Sequence, residues 1–356
     1  MQPSHVKQPV IPQHIRLLEL AQRAPIFLSP DRQPFIISPL TATAVPLYSE
    51  AFFDWFTHST EARLGLCPSS SQIARVIRDL DSSARKAQDT EQIHTRIAKK
   101  GTKHYQIDLG TPNIDVVEIT GKNWQVAQHF DARFQRLETS DPMPIPQPSP
   151  VKLPVYLENM FGISTENALK LSGWLGQAML PEQKPPILVI TGQASDEAVT
   201  KLRNLIDPVF HALIEMPTTA KQMAQQAIEN RVLAYAVTVP LSESKIQAFN
   251  KMRKGVTSRL RQANKKLAPL YTIVHRPIMI AAEDKIEISP QQITIEINQA
   301  LPVRDLDDML GALLDVMVEI VGQPVTYPES LVFRAPTIAP PADAQQPTEP
   351  QPDQLN

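Results

Sequence analysis

The chain has 356 residues, 42% of them hydrophobic, and its 35 basic side chains are matched by 37 acidic ones, for a net charge of −2. Such a near-neutral chain is not a bulk polyanion binder, so any contact with nucleic acid or acidic lipid must come from a local patch. The single cysteine, Cys67, excludes an internal disulfide and suits a reducing, cytoplasmic setting.

The length suggests two or three domains. The start, Met1 to Pro12, is polar and proline-rich, so no signal peptide is expected. No apolar stretch has the length of a membrane span, and no membrane partner is expected. There are 34 prolines but only 11 glycines. Proline stiffens connections, whereas a shortage of glycine argues against a loop that cradles phosphate.

Residues 1–45 read as an extended arm. His14 to Arg23 can form one amphipathic helix, after which Pro25, Pro30, Pro34, Pro39 and Pro46 prevent any long regular element. Residues 46–138 read as a small α+β domain. Ser49 to His58, with Phe52, Phe53, Trp55 and Phe56, suits a buried helix. Ser69-Ser70-Ser71 can cap a second helix, Gln72 to Lys86, whose Ile73, Val76, Ile77 and Leu80 recur at helical spacing. Strand-like runs follow at Ile93 to Ala98, Tyr105 to Leu109, Val116 to Ile119 and Trp124 to Ala127, with Gly101, Gly110 and Gly121 in the turns.

Residues 139–154 read as a proline-rich linker and domain boundary. Six prolines in the fourteen residues from Asp141 to Pro154 favour a stiff, extended path. Residues 155–330 then alternate helix and strand. Helices are expected at Thr165 to Met179, Asp196 to Ile206, Thr219 to Glu229, Ser242 to Leu267 and Leu306 to Val321. Strands are expected at Pro186 to Thr191, Val209 to Ile214, Val232 to Val239, Arg276 to Ala282 and Gln292 to Ile297. That rhythm predicts an α/β fold with a mostly parallel sheet flanked by helices. Residues 331–356, rich in Pro and Gln, read as a disordered tail.

The order of these elements resembles the ATP-binding proteins of phages and integrated elements in the AAA+, superfamily 3 helicase-like group. The resemblance runs over about residues 46–325. It is carried by Ala51 to Trp55, Tyr105 to Gly110, Val117 to Thr120 with Trp124, Ile187 to Pro208, Arg231 to Tyr235, Arg276 to Asp284 and Leu310 to Val316. Specificity lies in their order and spacing rather than in any one motif. The resemblance implies an AAA+-like parallel sheet with an ATP site at the end of its first strand.

The parts that handle ATP are missing. A phosphate loop, GxxxxGK[ST], needs glycines so that backbone N–H groups can wrap phosphate, a Lys for the terminal oxygens and a Ser or Thr for the metal. Thr191-Gly192 stands after the right strand, but the Gly, Lys and Ser/Thr positions hold Glu197, Ala198 and Val199. Asp196 and Glu197 would place two carboxylates where a triphosphate sits, a repulsion of several kcal/mol in a partly buried site. Thr200-Lys201 offers a shifted Lys, but without its glycine and in reversed order. Leu233 to Thr238 lacks the acidic residue expected at the end of the second strand. Met279 to Ala282 lacks the polar sensor, and Glu287 to Gln292 lacks an arginine finger. Together these losses imply a degenerate, pseudo-ATPase member with no nucleotide cofactor.

Ser244 to Leu267 holds eight basic residues and no acid: Lys245, Lys251, Arg253, Lys254, Arg259, Arg261, Lys265 and Lys266. Such a patch can neutralise several phosphates of DNA or RNA without reading sequence. In the resembled helicases this interval carries a DNA-contacting hairpin. The plainer reading is a solvated helix face.

The other chemistry is sparse. The eight histidines never pair at metal-ligand spacing, and Cys67 has no cysteine partner, so no metal site is expected. No GxSxG or HExxH motif is present, and no catalytic residue is assigned. Asp307-Asp308 suits a helix start and Glu283-Asp284 a loop. Trp55, Trp124 and Trp174 suit the core, with base stacking the alternative for Trp124. The expectation is a non-catalytic, nucleic-acid-associated scaffold of a mobile-element or phage-related replication, maintenance or defence system. The alternatives are a protein-interaction subunit, with protein partners or copies of itself, and an atypical residual ATPase built on Lys201.

Overall fold

The computed structural model describes residues 12–129, 131–136, 141–180, 185–206, 214–215, 218–222, 233–237, 242–252, 278–282, 287, 292–302 and 306–322. The chain divides into two units, Met1–Pro324 and Val325–Asn356. The second unit, with the expected tail, lies outside the described residues.

The chain first forms a helix, α1 (Gln13–Ala21), and then three short strands, β1 (Ile26–Leu28), β2 (Pro34–Ile37) and β3 (Ala44–Pro46), paired antiparallel in that order. This corrects the expectation of an extended arm. Pro34 opens β2 and Pro46 closes β3, so these rings sit at strand ends, where little of the hydrogen-bond ladder is lost. The strands carry Phe27, Phe35, Ile36 and Ile37, all buried. Leu17, Ala21, Ile36 and Leu47 share one core with two further helices, α2 (Glu50–Leu64) and α3 (Ser70–Ala87).

Those helices start where polar caps occur. Ser49 Oγ accepts from Phe52 N, and Ser69 forms a capping box with Gln72. The inward stripe of α3 is Ile73, Val76, Leu80 and Ala84.

The chain continues through β4 (Ile93–His94), β5 (Ile97–Gly101), β6 (His104–Asp108), β7 (Val116–Ile119), β8 (Trp124–Ala127) and β9 (Arg133–Phe134). Strands β5 to β8 form an antiparallel sheet in sequence order, and β4 pairs with β9 in parallel. The expected run at Ile93 to Ala98 is therefore two strands in two sheets. A buried polar knot braces this region. The carboxylate of Asp108, 1% exposed, takes two bonds from Arg136, at 2.8 and 2.9 Å. Arg96, also buried, donates to the carbonyls of Asp108 and Asp141.

Asp141 opens the proline-rich strip, and this strip is not a break in the packing. Met143 is buried in the main core, and its N–H donates to Leu109 O at 2.7 Å. Gln147 N donates to Asp307 O at 3.2 Å. A side chain at Gly311 would collide with Gln147 O, so the strip runs directly against a helix backbone. Proline stiffness here serves a packed path rather than a free spacer, and the main core includes residues from both sides of it.

After the strip come α4 (Leu153–Phe161), α5 (Thr165–Met179), β10 (Ile187–Thr191) and α6 (Ser195–Ile206). They are followed by β11 (Ile214–Glu215), β12 (Leu233–Val237), β13 (Ile278–Ala282), β14 (Gln292–Glu296) and a last helix, α7 (Leu306–Gly322). Strands β10 to β14 form one five-stranded sheet in the order β11-β12-β13-β10-β14, every neighbouring pair parallel. Every residue of β10 and β13 is buried, which is why their sequences are unbroken apolar runs rather than alternating ones. Among the described residues no helix is long and apolar enough to cross a membrane.

Candidate functional site

In an open parallel sheet, ligands bind beyond the carboxyl ends of the strands, where the strand order reverses. Here that point is β10. The chain leaves it for the far side of the sheet, returns to pair β13 on one flank, and ends with β14 on the other. Thr191, Ala282 and Glu296 stand level at this edge.

The turn from β10 to α6 is three residues long, Gly192 to Ala194. Gly192 has φ +101, and a Cβ there would lie 2.5 Å from Ile297 O, so only glycine fits without strain. Two amides at this turn have partners within the chain. Ala194 N donates to Ile297 O at 3.4 Å, and Ser195 N to Gly192 O at 3.1 Å. In return, Ile297 N donates to Thr191 O at 2.7 Å. The segment following β14 is thus laid over the end of β10.

Lys201 completes this closure. Its Nζ donates to Ala300 O at 2.6 Å and Leu301 O at 2.8 Å, and pairs with Glu197 at 2.7 Å. Leu301 N donates to Met160 O at 2.9 Å, which ties the same segment to α4.

The positions singled out from the sequence fall as follows. Gly192 forms the turn. Asp196 and Glu197 lie exposed in the first turn of α6. Ala198 and Val199 are fully buried in the main core, facing away from any ligand. The expected repulsion from Asp196 and Glu197 is therefore weak, because both are solvated and Glu197 has Lys201 beside it. Geometry, rather than charge, sets this edge apart from a phosphate loop. The turn is short, the amides of Ala194 and Ser195 are occupied, and the side chains of Ala198 and Val199 lie in the core.

The basic run is described only in part. Residues 243–252 are helical, with Phe249 and Met252 buried and Lys245 and Lys251 exposed. Six positions apart on a helix, those two lysines point about 120° from one another. Arg253, Lys254, Arg259, Arg261, Lys265 and Lys266 lie outside the described residues, as do Glu283 and Asp284. Asp307 and Asp308 lie in the first turn of α7, where carboxylates favour the helix dipole.

Trp174 is buried, and its Nε1 donates to Pro186 O. Trp124 is partly buried against the main core; its Nε1 donates to Asp315 at 2.8 Å and its ring lies near Gly311, so it packs on α7. Among the described residues no group of three or more His, Cys, Asp or Glu is placed to hold a metal ion.

One charged cluster was missed from the sequence. The β5–β6 and β7–β8 turns lie at the same end of the antiparallel sheet, opposite the β6–β7 connection. They bring together Lys99, Lys100, Lys103 and Lys122, all exposed. The signal available was the KKGTK pattern around a turn glycine. Its fourth lysine is distant in sequence, and only the strand pairing brings it near.

Comparison with known proteins adds little. No family model matches the chain, and no curated protein matches it. Among solved structures, the apo A form of the NrS-1 C-terminal region is 11% identical, with a TM-score of 0.35, over 87% of this chain and 68% of that one. A likeness that slight carries no argument about fold or chemistry.

Proposed function

We propose that this protein is a non-catalytic, nucleic-acid-associated scaffold built on a helicase-like ATPase sheet that no longer takes ATP. The observation that carries the reading is the closed carboxyl edge of β10. A phosphate cradle needs several free amides and a free ammonium group at this place. Here the amides of Ala194 and Ser195 have backbone partners, and Lys201 is held by two carbonyls and a carboxylate. The AAA+-like assignment draws support from the parallel strand order, with β10 between β13 and β14. The phage or integrated-element setting rests on the order of motifs along the chain. The nucleic-acid role rests on the acid-free charge of residues 244–267.

The test has two arms. Titration calorimetry with ATP and magnesium should give no heat of binding, and a steady-state assay no hydrolysis. Hydrolysis that disappears in Lys201→Ala would instead establish a residual ATPase. In the second arm, DNA or RNA of mixed sequence should bind with a steep salt dependence. Glutamate at Lys251, Arg253, Lys254, Arg259 and Arg261 should abolish that binding. Unchanged binding would remove the run from the function.

A further inference from the structure

We propose that the outer edge of β8 is a docking site for an extended, basic peptide segment of another protein, which adds to the antiparallel sheet as a further strand. The inference does not rest on the nucleic-acid reading. It stands on the strand pairing and on the carboxylates that meet at this edge.

β8 is the last strand of the sheet β5-β6-β7-β8, so only one of its edges is paired. The turn bond from Thr120 N to Asn123 O, 2.8 Å, sets the phase of the ladder. In an antiparallel pair, bonded and non-bonded positions alternate. Ile119 stands opposite Trp124, Glu118 opposite Gln125 and Val117 opposite Val126. Gln125 therefore bonds to β7, and the N–H and C=O groups of Trp124 and Val126 point outward. Among the described residues these outward groups have no hydrogen-bond partner. The opposite edge of the sheet is protected, because β5 carries Lys99, Lys100 and a register shift, devices that discourage a further strand. β8 itself, Trp124 to Ala127, has no charged residue, no proline and no register shift, and Val126 is 37% exposed.

The charge beside this edge selects the occupant. On one face of the sheet, Glu118 accepts from Gln106 and Gln125, both at 3.0 Å, neutral donors that leave its charge in place. On the other face α7 packs against β7 and β8, with Trp124 bonded to Asp315. Asp308, Asp315 and Glu319 lie within about 40° of one another around α7, and that helix has no basic residue. Among the described residues none of these four carboxylates forms an ion pair. The basic groups near the edge are Lys122 in the turn and His104 and His129 beside Glu118. A strand added to β8 turns alternate side chains to the two faces. Its residue opposite Gln125 reaches toward Glu118, and those opposite Trp124 and Val126 share the face of Asp315. Arg or Lys at these places gains charge-assisted hydrogen bonds, and its aliphatic stem covers Val126. DNA or RNA is repelled by the same carboxylates. A second copy of β8 brings no cation to them.

The experiment uses the full chain and a fluorescein-labelled hexapeptide of alternating Arg and Val, with binding read by anisotropy. This peptide should bind, and one of alternating Glu and Val should not. Methylating every backbone nitrogen of the Arg peptide keeps its charge but removes its donors, and should weaken binding about tenfold or more. Val126→Pro removes an outward N–H at a place where an edge strand tolerates proline, and should weaken binding about fivefold. Glu118→Gln combined with Asp315→Asn keeps both acceptors, and should weaken binding about threefold and flatten its salt dependence. The methylated peptide is read on the unsubstituted chain, so the test survives a misfolded Val126→Pro variant. Binding that withstands methylation is charge attraction alone and overturns strand addition. Binding unchanged in the double carboxylate variant overturns the choice of a basic partner. No binding of the Arg peptide by the unsubstituted chain overturns the site. A concentration-dependent dimer that Val126→Pro disperses in sedimentation also overturns it, since the edge then belongs to a second copy.

Discussion

Two ends of two sheets in this chain treat their cations in opposite ways. At the carboxyl edge of β10, Lys201 is held by the carbonyls of Ala300 and Leu301 and by Glu197. At the hairpin end of the antiparallel sheet, Lys100 pairs at 3.3 Å with Asp131, which is 69% exposed. The difference follows from what the backbone leaves over. A parallel strand exits into an irregular segment whose carbonyls need donors, and a nearby ammonium group supplies them. Hairpin strands pair their carbonyls with each other, so the ladder needs no side-chain donor there, and Lys100 pairs with an exposed carboxylate instead. A cation is built into the fold where the backbone itself needs a donor.

The contrast can be broken most forcefully at Gly192. Gly192→Ala forces a Cβ toward Ile297 O at a backbone angle only glycine tolerates, and should cost about 3 kcal/mol. Urea unfolding measures it; a loss below about 0.5 kcal/mol would mean that the edge is not tightly closed. Lys201→Met keeps the stem but removes the ammonium group, leaving two carbonyls short of a donor. It should cost about 1 to 2 kcal/mol without changing affinity for DNA. Lys100→Gln should leave the urea midpoint nearly unmoved, because its ion pair with Asp131 is solvated.

The smallest effect lies at His94 on β4. Burial, then the nearby charge of Lys100, pushes its pKa from 6.5 down to about 4. In the folded chain the ring is neutral throughout that interval, whereas in the unfolded chain it takes up a proton. Stability should therefore fall as pH drops from about 6.5 to about 4 and level off below. His94 is still partly solvated, so the loss is held to about 1 kcal/mol. His94→Gln should flatten that slope in unfolding curves taken at several pH values. Lys100→Gln should raise the folded pKa slightly, so that the fall is smaller and levels off at a higher pH, which would show the charge of Lys100 acting inward.

Some features were legible because they are local. The helix Thr165–Met179 and the strands Val116–Ile119 and Trp124–Ala127 follow their apolar periodicity. The cap at Ser69 follows from its hydroxyl and the glutamine three residues on. The absence of Lys and Ser/Thr after Gly192 needed only counting.

Other features were not. Prolines between 25 and 46 looked like breakers, yet their neighbours pair into a sheet, because a ring at a strand end leaves most of the ladder intact. The strip from Asp141 looked like a free linker, yet Met143 is core and Gln147 lies against Gly311. Two carboxylates looked like the obstacle to phosphate, yet both are solvated and the turn itself is closed by Ile297.

By itself, then, the sequence determined where helices such as Thr165–Met179 and buried strands such as Ile187–Thr191 form, and that no GxxxxGK[ST] pattern follows β10. Both depend on residues a few positions apart. Tertiary structure alone decided which amides and cations are already engaged, and that Lys122 stands beside Lys103. Those outcomes depend on groups brought together from distant parts of the chain, and no local spacing encodes them.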